Sequence, residues 1–244
     1  MNRDILSDAG REGDAFFIMD SAYSSTAAHA GCTCLGDYIA DFCHDGSASG
    51  NGSDILRAVL NGLLNGGISG LTHGHCAVNL AAPRSLSSAI GHSIDSRSRE
   101  MICRWLEMTA FTSFFRTHDG DCGARECGGN TSILSALDDE VVLRSVARWS
   151  HVFVALAEYR LRLLNEASFK GYPVVRHPML HFPNDARFVG NDTEKKNDSS
   201  SYSSTFMMGD LIYVAPILKC GVIKSKVYLP QGAWIHLWVS VVNS

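Results

Sequence analysis

The sequence predicts an α/β fold with a β-rich carboxyl-terminal portion, and three observations carry that prediction. The wholly apolar run Ala15-Phe16-Phe17-Ile18-Met19 suits a strand covered by helices on both faces. Two stretches, Ile55 to Leu64 and Glu140 to Ser168, repeat apolar residues at helical spacing. From Phe206 onward, short apolar runs are separated by Gly and Pro, as in strands joined by turns.

At 244 residues the chain is long enough for one large domain, or for part of a barrel plus a small second domain. Apolar content of 45% and charged content of 19% describe an ordinary soluble globular protein. A net charge of -4 gives no reason to expect nucleic acid, and no apolar run approaches the roughly 18 residues of a membrane span. The start, Met1 to Asp8, has no apolar signal-peptide core, so as written the chain is expected to be cytoplasmic. Its eight cysteines fit neither a zinc-ribbon nor a thioredoxin spacing, and scattered reduced thiols are expected. His73, His75 and Cys76 lack a clear fourth ligand, so no metal or other cofactor is expected. The sequons beginning at Asn51, Asn130, Asn191 and Asn197 would matter only behind a secretion signal.

Taken in order, residues 1 to 14 are polar and read as a loose lead-in to the first strand. A second strand leads into Leu35-Gly36-Asp37; in isolation Gly36-Asp37 is also the composition of a turn. Cys43 to Asp54, rich in Gly, Ser and Asn, reads as a surface loop before a helix over Ile55 to Leu64, capped by Ser53 or Asp54 and ending at Gly66-Gly67. Ile68 to His73 is expected as the next strand. The helix opened by Ser96-Arg97-Ser98-Arg99-Glu100 then carries Ile102, Trp105, Leu106 and Met108 on one face. It delivers the β-prone run Phe111-Thr112-Ser113-Phe114-Phe115. That run ends in Arg116 and His118, either two solvated residues or, at the carboxyl end of a strand in a β/α architecture, two ligand-facing ones. Asp121 to Asp139 is loop-like, Glu140 to Ser168 reads as one long amphipathic helix stopped by Gly171, and Asn184 to Ser204 reads as a polar insertion. Phe206 to Ile217 and Lys226 to Trp234 are expected as strands.

The stretch from Arg104-Trp105 through Ala110-Phe111 to Phe114-Phe115-Arg116-Thr117-His118 resembles the R-W-x-x-x-x-A-F-x-P-F-F-R-x-H segment of glycoside hydrolase family 31, the α-glucosidase and sulfoquinovosidase family, with Ser113 in the place of proline. Leu35-Gly36-Asp37 with Asp41-Phe42 resembles the family's W-x-G-D-x-x-x-D-F, and Tyr172-Pro173-Val174 with Arg176 and Pro178 resembles the segment that leaves the family's barrel. The resemblance covers about residues 15 to 240 and is densest at 97 to 120 and 206 to 238. It implies the C-terminal half of a TIM (β/α)8 barrel over residues 1-188, family strands five to eight, followed by the start of a small β-sandwich-like all-β domain over 189-244.

The resemblance also implies a reaction, hydrolysis of terminal α-glycosidic bonds with retention. In it, Asp37 would be the catalytic general acid/base that first protonates the leaving oxygen and then activates water. Arg116, His118 and His75 would contact the carbohydrate substrate. Four positions depart from the family pattern: Asp20 where it has arginine, Cys34 for tryptophan, His75 for a sugar-gripping aspartate and Asn79 for an aromatic. The family nucleophile belongs to strand four, expected before Met1, and retention needs both carboxylates roughly 5 Å apart. The expectation is therefore a chain that does not complete hydrolysis alone, with an oligomer or a preceding segment covering the open side of the barrel. Two other readings remain: a non-catalytic carbohydrate-binding or subunit-interaction protein, and a fragment of a longer enzyme.

Overall fold

The computed structural model describes residues 2–11, 13, 16–19, 31–39, 55–79, 96–116, 137–189 and 204–238, with the backbone alone at 2–3, 36–39, 77–79 and 96–98. Its elements are α1 (Asn2–Asp8), β1 (Ile18–Met19), β2 (Cys32–Ile39), α2 (Ile55–Ile68), β3 (Gly74–Asn79) and α3 (Ser96–Thr109). There follow α4 (Glu140–Ala155), α5 (Ala157–Lys170), β4 (Val175–Arg176), a 3-10 turn (Pro178–Leu180), α6 (Ala186–Val189), β5 (Phe206–Met208) and β6 (Ile212–Val214). The α/β class is as expected. One sheet is parallel, in the order β1-β2-β3, and the other is antiparallel, in the order β4-β5-β6.

Helix α2 buries Ile55, Leu56, Val59, Leu60, Leu63 and Leu64, a 3.6-residue stripe that packs against β2 and β3. Gly62 lets Leu35 of β2 approach the helix backbone. Helix α3 adds Met101, Ile102, Trp105, Leu106 and Met108 to the same core and packs on α4, where Phe111 meets Trp149 edge-on with ring centroids 6.1 Å apart. Each large side chain so buried contributes about 1.5–3 kcal/mol relative to exposure. In the antiparallel sheet Val175 pairs with Met208 and Met207 with Tyr213. The buried Arg176 of β4 pairs with Glu166 of α5 and donates to Pro173 O at 2.8 Å, so its charge is compensated where it is desolvated.

Several sequence expectations change. The lead-in contains a short helix, α1. Helix α2 runs through Gly66-Gly67 to Ile68 and stops in a Schellman turn: Gly70, at φ 93°, donates to Gly67 O, and Leu71 N donates to Gly66 O at 2.8 Å. Residues 68–73 are thus helix end and turn, and the strand begins only at Gly74. The long helix over 140–168 is two helices broken at Leu156, and α5 ends at Gly171 (φ 76°) as expected. Phe111 to Phe115 is not a strand; a turn follows α3, and its carbonyls bond to side chains. Residues 226–234 form no ladder. Pro230 has no N–H to give one, and side-chain bonds anchor the segment instead: Tyr228 Oη donates to Asp185 at 2.7 Å and Trp234 Nε1 to Pro230 O at 2.9 Å. Residues 184–189 of the expected polar insertion are ordered around α6, while 190–203 lie outside the described residues.

Candidate functional site

The register between β2 and β3 decides which side chains can share a site. Cys34 pairs with His75, and Asp37 with Ala77, so β2 spends three steps where β3 spends two. That is a one-residue bulge at Leu35-Gly36. Paired residues in a parallel sheet lie on the same face, and alternate residues change face. His75 and Ala77 share a face, so positions 34 and 37 share it with them. Without the bulge, position 37 would belong to the opposite face, where Leu35 and Cys76 pack towards α2.

His75 is 2% exposed, and the edge of its ring lies against Phe114, with centroids 5.7 Å apart. Phe114 in turn contacts Phe16 at 5.6 Å. Burial, with the nearby Arg116 charge adding to it, lowers the His75 imidazole to about 4, so the ring is neutral at physiological pH. Its Nε2 is buried with no hydrogen-bond partner among the described residues. Arg116 follows the aromatic pair Phe114-Phe115 and is exposed. Its charge also opposes the rise of the Cys32 thiol, which burial pushes up to about 12. Cys32, Cys34 and Cys76 are buried, and desolvation holds the Cys32 and Cys76 thiols in the protonated form. No group of three His, Cys, Asp or Glu among the described residues is placed to hold a metal ion.

The structure therefore brings together three of the four residues singled out by sequence: position 37 by strand register, and His75 and Arg116 through Phe114 and charge. His118 lies outside the described residues, as does Asp20. Sequence reasoning missed a supporting layer. Arg160 of α5 is buried and donates to Thr112 O at 2.9 Å, Ala110 O at 3.0 Å and Phe153 O at 2.8 Å. Its signal was present: Arg160 lies four residues after Leu156 and three before Leu163, a charged residue within an apolar stripe.

Against known proteins, residues 171–244 match the model of the glycosyl hydrolase family 31 C-terminal domain. A sulfoquinovosidase of Agrobacterium fabrum (strain C58) is 31% identical over 231 residues, which cover 94% of this chain and 30% of that protein. The chain belongs to glycoside hydrolase family 31. A second relative, a sulfoquinovosidase of Escherichia coli (strain K12), is 25% identical over 97% of the chain and 30% of its own length. A solved family 31 sulfoquinovosidase from E. rectale, bound to an aza-sugar inhibitor, superposes with a TM-score of 0.72 at 27% identity. It covers 97% of this chain and 30% of that one. The family 31 chain thus spans about a third of the length of the relatives it matches. Among the described residues, no helix is long and apolar enough to cross a membrane.

Proposed function

We propose that residues 1–188 form the C-terminal half of a family 31 (β/α)8 barrel and that residues 189–244 begin the β domain that props it. The sheet that joins these parts draws β4 from before residue 189 and β5 and β6 from after it. The inherited chemistry is retaining hydrolysis of a terminal α-glycoside. Asp37 serves as general acid/base, and Arg116, His118 and His75 contact the sugar. One observation carries this reading: the bulge in β2 puts position 37 on the face of the sheet that also holds His75, beside Arg116. A neutral, buried imidazole with an unpartnered nitrogen suits a sugar hydroxyl, which can donate or accept. It cannot supply the negative charge of the aspartate that the family usually has there.

The second carboxylate is the limiting element. Within residues 1–244 no other Asp or Glu stands in the family's nucleophile context, and a glycosyl-enzyme needs one. The chain on its own therefore binds a carbohydrate without turning it over, and hydrolysis requires a carboxylate supplied from outside these residues. The sulfoquinovosidase relatives make an α-linked, anionic sugar the first ligand to test, with Arg116 as its counter-charge. The test is a thermal melt of the purified chain with sulfoquinovose or glucose, alongside an aryl α-glycoside assay. A sugar-dependent rise in Tm, lost in Arg116→Gln, with no hydrolysis, is expected. Turnover abolished by Asp37→Asn would refute the limit on catalysis; the absence of any sugar-dependent shift would remove the binding site itself.

A further inference from the structure

The three bonds of Arg160 meet at the end of α3. That helix ends at Thr109, and its carbonyls at Leu106, Met108 and Thr109 accept from the N–H groups of Ala110, Phe111 and Thr112 in the turn that follows, which leaves the turn's own carbonyls to be satisfied by a side chain. Arg160 reaches back from α5 to take Ala110 O and Thr112 O through Nη2 and Nε. Its Nη1 takes Phe153 O, at the break between α4 and α5. A planar guanidinium spreads its donors over three nitrogens and so reaches acceptors on separate segments at once; the three donors of an ammonium radiate from a single nitrogen and cannot match that fork. Burial lowers the group to about 10, which leaves it charged at neutral pH.

A second set of contacts continues the first. The guanidinium lies over the Phe153 ring, 3.6 Å from its centroid, and the other partner of that ring is Phe115, stacked at 5.4 Å and 29°. The Thr112 hydroxyl shares its proton between Thr109 O at 2.8 Å and Phe114 O at 2.9 Å. The backbone is thus held at 110, 112 and 114, and the side chain at 115. The next residue is Arg116, and Phe114 is the ring against which His75 rests. We propose that Arg160 is a positioning residue: through the Ala110 and Thr112 carbonyls and the Arg160–Phe153–Phe115 stack, it fixes where the otherwise exposed Arg116 guanidinium is presented to the ligand. The part of this that concerns the ligand rests on the sugar-site reading above; the positioning does not.

Among the described residues, the charged and titratable groups around His75 are Arg116 from the turn after α3, and Cys32 and Cys34 from β2, with position 37 on the same face. Displacing Arg116 removes the one described cation that presses the imidazole pKa down, while the larger effect of burial stays. The experiment follows His75 in the full 244-residue chain by NMR titration of 13C-labelled histidine, assigned with His75→Gln. Arg160→Lys keeps the charge and removes the fork. It is expected to raise the His75 pKa by about half a unit or more, and to leave it unmoved when Arg116→Gln is already present. A cooperatively melting Arg160→Lys chain with an unaltered His75 pKa overturns the proposal. So does an equal shift in the Arg116→Gln background, which would mean a general loosening. If Arg160→Lys does not fold, Phe153→Leu removes the stacked ring while keeping the guanidinium, and the same two outcomes decide. No sugar enters this readout, so a failure of carbohydrate binding leaves it standing.

Discussion

The buried His75 makes stability depend on pH in a direction that can be worked out beforehand. Folded, its imidazole is lowered to about 4 against an ordinary value of 6.5. Unfolded, it takes up a proton as pH falls through 6.5, while the native state refuses one until about 4. The unfolded chain therefore binds more protons within that window, and stability falls with pH across it. The contribution is intact above about pH 6.5 and exhausted below about pH 4. At about 1.4 kcal/mol per pH unit, the gap amounts to about 3 kcal/mol. Burial also lowers His73, His177 and His181, so the wild-type slope is a sum of like-signed effects. Urea unfolding of wild type and His75→Gln at pH 7.5 and pH 4.5 isolates the one residue. The wild type should lose about 2–3 kcal/mol more than the variant on acidification. Equal losses in the two proteins would refute the claim that a neutral imidazole is enforced at this position.

Three further outcomes follow from the same structure. Gly70 sits at φ 93° with nothing within 4 Å of an added Cβ, so Gly70→Ala meets backbone strain alone. It should cost about 1–2 kcal/mol, seen in calorimetry as a Tm lower by about 2–8 °C. Trp105→Ala should cost about 3–5 kcal/mol in denaturant, because the indole is buried between α3 and its neighbours, whereas Phe169→Ala, at a ring 89% exposed, should stay within about 0.5 kcal/mol. Alkylation of native protein at pH 8, followed by mass spectrometry, should label the exposed Cys220 before the buried Cys32, Cys34 and Cys76, which should be spared until urea is added. Early labelling of Cys32 would contradict the burial that holds its thiol protonated.

The local pattern of the sequence was enough for much that depends on neighbours in the chain, though not for α1 or for the turn over residues 68–73. The stripe of α2, the α3 face around Trp105, the Gly171 stop and the hairpin near Phe206 could be read because helix and strand periods are written in adjacent residues. So could the family, because its longest motif lies in one unbroken stretch, Arg104 to His118. Tertiary structure decided what depends on partners distant in sequence. The Phe111 to Phe115 run has strand composition but bonds to Arg160 rather than to a ladder, since a buried guanidinium can satisfy carbonyls that no neighbouring strand reaches. The single helix expected over 140–168 breaks at Leu156, where Phe153 O is given to that same guanidinium. The shared face of position 37 and His75 depends on one bulged residue, which Gly36 permits but does not by itself specify. Periodicity assigns each residue a side of its own strand; only pairing with a second strand determines whose side that is.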